Sequence, residues 1–173
     1  MIQKKAVGIK LLFLDVDGVL TDGRITINNQ GEEIKSFDVK DGQGLKLLAQ
    51  GDVEIVIVSG RRSVVLEHRA KDLGIPGLYQ GVEDKADLCR KLISKRGLMK
   101  EEVCCMGDDL PDLAMFNESG LRIAVADACQ EVRAAADLVT QNRGGRGAVR
   151  ELCEWLLKGK GVWDQAVEAF SGK

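Results

Sequence analysis

The tetrapeptide Asp15-Val16-Asp17-Gly18 follows directly on the apolar run Leu11-Leu12-Phe13-Leu14. The run reads as a buried parallel strand, which delivers two carboxylates to the strand's carboxyl end, where open α/β sheets build their sites. One carboxylate can attack a phosphorus atom and form an aspartyl phosphate. The other, two residues on, can protonate the leaving oxygen and later activate water. Taken alone, Asp-x-Asp-Gly is also an ordinary turn after a strand, so the rest of the chain must decide.

Other strand ends carry matching chemistry. Val53 to Val58 ends in Ser59-Gly60-Arg61, a hydroxyl and a closely approaching backbone N–H where a phosphate could sit at a helix N-terminus. Lys85 opens a helix, against the positive end of the helix dipole. A phosphate there would resolve the conflict, and a solvated surface lysine is the plain alternative. Val103-Cys104-Cys105-Met106 ends in Gly107-Asp108-Asp109-Leu110-Pro111-Asp112, three carboxylates within five residues; Asp109 or Asp112 can also serve as a helix cap. Gathered with Asp15 and Asp17, these acids repel one another unless a cation sits among them. An all-oxygen ligand set favours Mg²⁺, which lets an anionic nucleophile approach an anionic phosphate.

The elements that position these residues alternate regularly. Arg24-Ile25-Thr26-Ile27 and Glu33-Ile34-Lys35-Ser36-Phe37 flank the turn Asn28-Asn29-Gln30-Gly31, a β-hairpin signal. Asp41 is expected to cap a short helix carrying Leu45, Leu47 and Leu48 and ended by Gly51, before a strand over Val53–Val58. Then follow a helix over Arg62–Leu73 closed by Gly74, a short strand around Leu78-Tyr79, a helix over Asp84–Lys95 and the strand Val103–Met106. A helix over Asp112–Phe116, a strand over Leu121–Val125, a helix over Val132–Ala136, a strand over Asp137–Thr140 and a helix over Ala148–Leu157 complete the pattern. This predicts an α/β, Rossmann-like, doubly wound and mostly parallel sheet with helices on both faces. Val162 to Phe170 looks amphipathic; Trp163, Val167 and Phe170 can pack on the core or on a partner, and the core is the expectation.

Size and composition restrict the function classes. With 173 residues and 45% hydrophobic content the chain is read as one domain over 1–173. Its 25 basic and 27 acidic residues give a net charge of −2 without single-sign blocks, which argues against nucleic acid or an anionic membrane surface as partner. Cys89, Cys104, Cys105, Cys129 and Cys153 are odd in number and lack C-x-x-C spacing, so reduced thiols in a cytoplasmic protein are expected. The apolar stretch after Lys4, Lys5 and Lys10 is broken too soon, by Asp15, for a signal peptide or membrane span. His68, the one histidine, lies in a polar helical stretch and is read as a surface residue.

Asp15-Val16-Asp17-Gly18-Val19-Leu20-Thr21-Asp22, Ser59-Gly60, Lys85 and Gly107-Asp108-Asp109-x-x-Asp112 together resemble the ordered motifs of the haloacid dehalogenase superfamily of phosphohydrolases. The resemblance implies Asp15 as nucleophile, Asp17 as general acid/base, and Ser59, Gly60 and Lys85 as phosphate ligands. It further implies Asp15, the Asp17 carbonyl and Asp108 as Mg²⁺ ligands, with Asp109 and Asp112 supporting the metal's surroundings. Phe37-Asp38-Val39-Lys40-Asp41-Gly42-Gln43-Gly44, Leu73-Gly74-Ile75, Tyr79-Gln80-Gly81, Ala124-Val125-Ala126-Asp127-Ala128 and Gly144-Gly145-Arg146-Gly147-Ala148-Val149-Arg150-Glu151 extend it. They resemble the branch that hydrolyses the 8-phosphate of an eight-carbon 3-deoxy-keto sugar acid in lipopolysaccharide precursor synthesis. Related phosphatases act on nine-carbon keto acid 9-phosphates and carry Glu after Ser-Gly, so Arg61 favours the eight-carbon substrate. A non-catalytic oligomerisation module of the same fold is the rival from another class.

Spacing leaves no room for a large cap domain: a hairpin flap (24–38) and one helix fill the interval from Asp22 to Ser59, and Ser59 to Lys85 holds a helix and a strand. A covered site then needs a neighbouring subunit. The resemblance implies a homotetramer in which hairpins associate and the tail (144–173), through Arg146, reaches an adjacent site. A solvated Arg146 in a helix-entry loop is the alternative, and the segment after Gly161 lies outside the pattern.

Overall fold

Apolar runs become central strands here because both faces of the sheet are covered. In the computed structural model, which describes residues 2–171, the chain begins with α1 (Ile2–Gly8) and β1 (Leu11–Leu14). The hairpin β2 (Thr26–Ile27) and β3 (Glu33–Ile34) follows, then α2 (Val39–Gln50), β4 (Glu54–Ser59), α3 (Val64–Leu73), β5 (Gly77–Gln80) and α4 (Lys85–Lys95). The second half runs β6 (Val103–Gly107), α5 (Leu113–Phe116), β7 (Leu121–Ala124), α6 (Gln130–Ala135), β8 (Leu138–Val139), α7 (Ala148–Gly159) and α8 (Trp163–Glu168).

Six strands form one sheet in the order β5-β4-β1-β6-β7-β8, every pairing parallel. The chain winds outward from β1 to β5, then returns to β6 on the other side of β1. The reversal opens a crevice at the carboxyl ends of β1 and β6, the ligand position of open α/β sheets. Leu14 is level with Ile57 on β4 and Met106 on β6, so Asp15, Ser59 and Asp108 leave the sheet at nearly one height. Every residue of β1 and β6 is buried. Two helical layers cover them: α2 and α1 pack on α7, and α4 and α6 pack on α5.

Several elements depart from expectation for identifiable reasons. Helix α1 was not expected; only Ala6 of its residues is buried, which is too little periodicity to read. The hairpin is shorter than the flanking alternation, two residues a side, and pairs Thr26 with Ile34 and Ile27 with Glu33. Asp38 caps α2, accepting from Lys40 N–H at 2.7 Å, and Asp41 lies buried inside that helix. Asp41 instead caps α7: its carboxylate accepts the Arg150 N–H at 2.7 Å and the Gly147 N–H at 3.3 Å. Gly147, at the α7 N-cap, has no side chain for that task, and a distant carboxylate supplies the missing acceptor.

The amphipathic C-terminal segment divides. Trp163 packs against the core beneath Arg150 and Lys158, whose charged groups lie 5.3 and 5.2 Å from its ring centroid. Val167 and Phe170 are exposed, contrary to their expected place on the core, because α8 is one short helix resting on α7 with its outer face open. Residues 172 and 173 of the expected tail, and Met1, lie outside the described residues. His68 is exposed as expected, and the five cysteines are unpaired, four of them buried.

The cross-chain cap yields a stability prediction. Asp41→Ala should lower stability by about 1–3 kcal/mol, the range of a lost cap and of a charge-assisted hydrogen bond. Asp41→Asn, which keeps an acceptor oxygen, should lose less. Urea unfolding midpoints at unchanged m-value measure both, and an Asp41→Ala midpoint equal to wild type would remove the cap from the account.

Candidate active site

The β1 exit turns sharply enough to present two carboxylates in different directions. Gly18 sits at φ +98°, in the left-handed region, and a Cβ on it would run into the Asp108 carboxylate. Glycine after Asp17 therefore serves both the turn and the approach of the β6 loop. The turn is closed by N–H groups of Val19, Leu20 and Thr21 donating to the Val16 carbonyl at 3.2, 2.9 and 3.0 Å.

Asp15, Asp108 and Asp112 converge, each offering one oxygen within 4.8 Å of the others. Lys85 reaches them from the first turn of α4, donating to Asp15 Oδ1 at 2.6 Å and Asp112 Oδ1 at 2.8 Å. Those two carboxylates offset the unfavourable helix dipole that the sequence left to a phosphate. Asp112 Oδ2 accepts from the N–H groups of Asp108 and Asp109 at 2.9 and 3.3 Å, so both its oxygens are occupied and it braces the loop. Asp109 turns away to cap the following turn, accepting from Leu110 N–H at 2.9 Å.

Burial and like charge act together on the remaining acids. Burial, then the neighbouring Asp112, pushes the Asp15 carboxyl up to about 7. Burial, then Asp15 and Asp112, takes Asp108 to about 8. For Lys85 burial opposes the charge, but Asp15 and Asp112 outweigh it and raise its pKa. Asp108 Oδ1 is buried with no hydrogen-bond partner among the described residues. An orphaned buried oxygen beside carboxylates that resist ionisation fits a hard divalent cation, with Asp15 and Asp108 as its side-chain ligands.

Asp17 lies outside that cluster. Its side chain points to the hairpin, where Lys35 Nζ bonds its Oδ1 and Arg61 Nε stands 3.7 Å from its Oδ2. Only its backbone carbonyl remains for a metal, the atom the resemblance names. Ser59 is buried, and its Oγ accepts the Arg61 N–H at 3.1 Å, keeping a proton to donate. Gly60 and Arg61 are exposed at the mouth, and the Arg61 guanidinium also bonds Glu33 at 3.0 Å. Lys35 and Glu33 were not singled out from the sequence; the alternation of the hairpin, which puts both on one face, was the available signal.

The Gly144-Gly145 segment packs on its own chain's turn after β1. A Cβ at either glycine would collide with backbone of Gly18 or Thr21 and Asp22, and Gly145 N–H donates to Val19 O at 2.9 Å. Gly144 N–H is held by Asp127 at 3.0 Å. Arg146 emerges beside this contact, 67% exposed and 3.6 Å from Asp22. It is exposed on its own chain, beside the turn that carries Asp22.

A family model of haloacid dehalogenase-like hydrolases matches residues 78–152. The 3-deoxy-D-manno-octulosonate 8-phosphate phosphatase KdsC of Escherichia coli strain K12 is 46% identical over 162 residues, covering 94% of this chain and 86% of that protein. The crystal structure of the phosphatase of that name from Moraxella catarrhalis, with magnesium, phosphate and KDO, is 43% identical. It superposes with a TM-score of 0.95 over 98% of this chain and 97% of the other. A cobalt-bound form of the Haemophilus influenzae phosphatase is 39% identical, with a TM-score of 0.89 over 94% and 98%.

The raised carboxyls predict how pH and cation act together. From the ordinary carboxylate range up to about pH 8, the folded metal-free chain retains protons that the unfolded chain has released. Its stability therefore falls as pH rises through that window. A cation that replaces those protons gains affinity over the same range. Mg²⁺ should raise the thermal midpoint more at pH 8 than at pH 5, as scanning fluorimetry would record; equal shifts at both pH values would contradict the assignment.

Proposed function

Because this chain belongs to the 3-deoxy-D-manno-octulosonate 8-phosphate phosphatases, within the haloacid dehalogenase-like hydrolases, we propose that it converts that ester to 3-deoxy-D-manno-octulosonate and phosphate. The observation that carries the reading is the convergence of Asp15, Lys85 and Asp108 at the sheet's crevice, on a fold shared with a relative holding magnesium, phosphate and KDO. The product belongs to lipopolysaccharide precursor synthesis.

Asp15 is the nucleophile. An Asp15 carboxylate oxygen forms a bond to phosphorus as the bond from phosphorus to the sugar oxygen breaks, and Asp17 gives its proton to that leaving oxygen. Asp17 then takes a proton from water, whose oxygen attacks the aspartyl phosphate and releases phosphate and the Asp15 carboxylate. Lys85 has three N–H donors; two hold Asp15 and Asp112, and the third serves a phosphate oxygen. Ser59 donates its hydroxyl proton to another, and Gly60 lets the backbone N–H approach. Mg²⁺, held by Asp15, Asp108 and the Asp17 carbonyl, with Asp112 and Asp109 bracing the loop, supplies the charge neutralisation that phosphoryl transfer needs.

The test is phosphate release from the eight-carbon 8-phosphate beside a panel that includes nine-carbon 9-phosphates. The eight-carbon ester should be preferred, and Asp15→Asn and Asp108→Ala should each abolish release in a folded protein. Wild-type turnover in Asp15→Asn would remove the covalent mechanism, and preference for a nine-carbon ester would reassign the substrate.

The cover of the site comes from a second subunit in this reading. Between β1 and β4 the chain offers only the hairpin and α2, and the hairpin exposes Ile25, Ile27 and Ile34, an apolar flap that association would bury. A homotetramer in the cytoplasm, where the five thiols stay reduced, is the assembly proposed. Among the described residues no helix is long and apolar enough to cross a membrane. Arg146 at the rim and Arg61 at the mouth are suited to the sugar acid, since guanidinium pairs with carboxylate through two parallel hydrogen bonds.

Arg146→Ala should raise KM for the sugar acid phosphate about tenfold, the scale of one charge-assisted contact, with much less effect on a small generic phosphate ester and no change in oligomeric state. Steady-state kinetics with sedimentation would decide. A monomeric wild type of full selectivity, or an unchanged KM in the variant, would refute the shared site.

A further inference from the structure

The hairpin carries a buried cation to which the reaction above gives no task. Lys35 follows β3 on a two-stranded flap, yet its side chain is 2% exposed, and lysine is rarely buried to that extent without a partner. Its Nζ bonds Asp17 Oδ1 and lies 3.3 Å from Glu33 Oε1. Arg61 completes the group, with Nη2 3.0 Å from Glu33 Oε1 and Nε 3.7 Å from Asp17 Oδ2. Two cations thus face two carboxylates, one carboxylate from the flap and one from the catalytic turn.

The two cations stand differently. Arg61 is half exposed and beyond hydrogen-bond distance of Asp17, so it can turn to a ligand without disturbing that carboxylate. Lys35 is enclosed and bonded to one defined oxygen. We infer that Lys35 is a positioning residue for Asp17: the flap inserts its ammonium so that Oδ1 is tied down and the carboxyl group keeps one orientation. Asp15 needs no such aid, being held by Lys85. Asp17 has no other hydrogen-bonded side-chain partner among the described residues, and without this tether its carboxylate is free to rotate about its side-chain bonds. General acid/base help is lost steeply when the proton carrier is displaced. The hairpin is then more than a cover, because its seating on the site sets whether the acid/base is in place.

The inference rests on Asp17 as acid/base, and the experiment separates the two. In Lys35→Met, kcat/KM is compared for the sugar acid 8-phosphate, whose alkoxide must be protonated as it leaves, and for p-nitrophenyl phosphate, whose phenolate leaves without a proton. This parameter reports only the steps up to the phosphoenzyme. The expected loss is roughly 10–100-fold on the sugar ester, within the range of general acid help, and small on the aryl ester. Lys35→Arg should recover most of it. In an Asp17→Asn background, Lys35→Met should add no further loss, since both act through one group. Equal losses on the two esters, a further loss in the Asp17→Asn background, or full activity in Lys35→Met would overturn the inference. Full activity in Asp17→Asn would remove the acid/base reading beneath it. Should Lys35→Met fail to fold, Lys35→Gln carries the same comparison.

Discussion

Three carboxylates meeting at the end of a buried parallel sheet, with one ammonium between two of them, is the constraint around which the structure is arranged. Lys85 bonds Asp15 and Asp112, and the surplus negative charge is accommodated by keeping Asp15 and Asp108 reluctant to ionise. Such a site is at odds with its own stability, because burial penalises the charges that its chemistry requires. The apolar strands beneath it carry the fold, and a bound cation with an anionic ligand relieves the repulsion above.

Holding this arrangement demands close backbone approach from two directions. The β1 and β6 loops touch at Gly18 and Asp108, and the segment before α7 reaches back so that Gly144 and Gly145 lie against the turn after β1. A side chain at any of the three glycines would push these segments apart. Asp41 ties the same region to α2 through the α7 N-terminus. The site is therefore fixed by contacts between segments distant in sequence, although its acids come from short motifs.

That division explains what the sequence disclosed. Strands such as Leu11–Leu14 and Val103–Gly107 were legible because burial on both faces leaves continuous apolar runs, and the residues at their ends were legible because sheet topology brings those ends together. The role of Asp41 was not, since the pattern Asp-x-x-x-Leu reads equally as a local cap while its true partners lie on α7. Lys85 was placed correctly at a helix start, yet its partners Asp15 and Asp112 come from two other loops. The glycines before α7 read as a helix-entry loop or as part of a segment reaching an adjacent site; that they also brace their own chain's turn comes only from three-dimensional contact. Helix α1 was invisible for a simpler reason, a single buried alanine on a polar segment.

The hairpin shows how a short insertion can matter to a reaction without forming a domain. Two paired residues per strand are too few to be stable alone, so the flap depends on what its side chains meet. Glu33 and Lys35 turn into the ion group around Asp17 and Arg61, while Ile25, Ile27 and Ile34 remain exposed. The inward contacts tie the flap to the turn after β1, and the outward surface stays apolar and exposed in this chain. Flap seating and the disposition of Asp17 are then coupled through the same few residues, because a two-stranded ribbon has no core of its own with which to separate them.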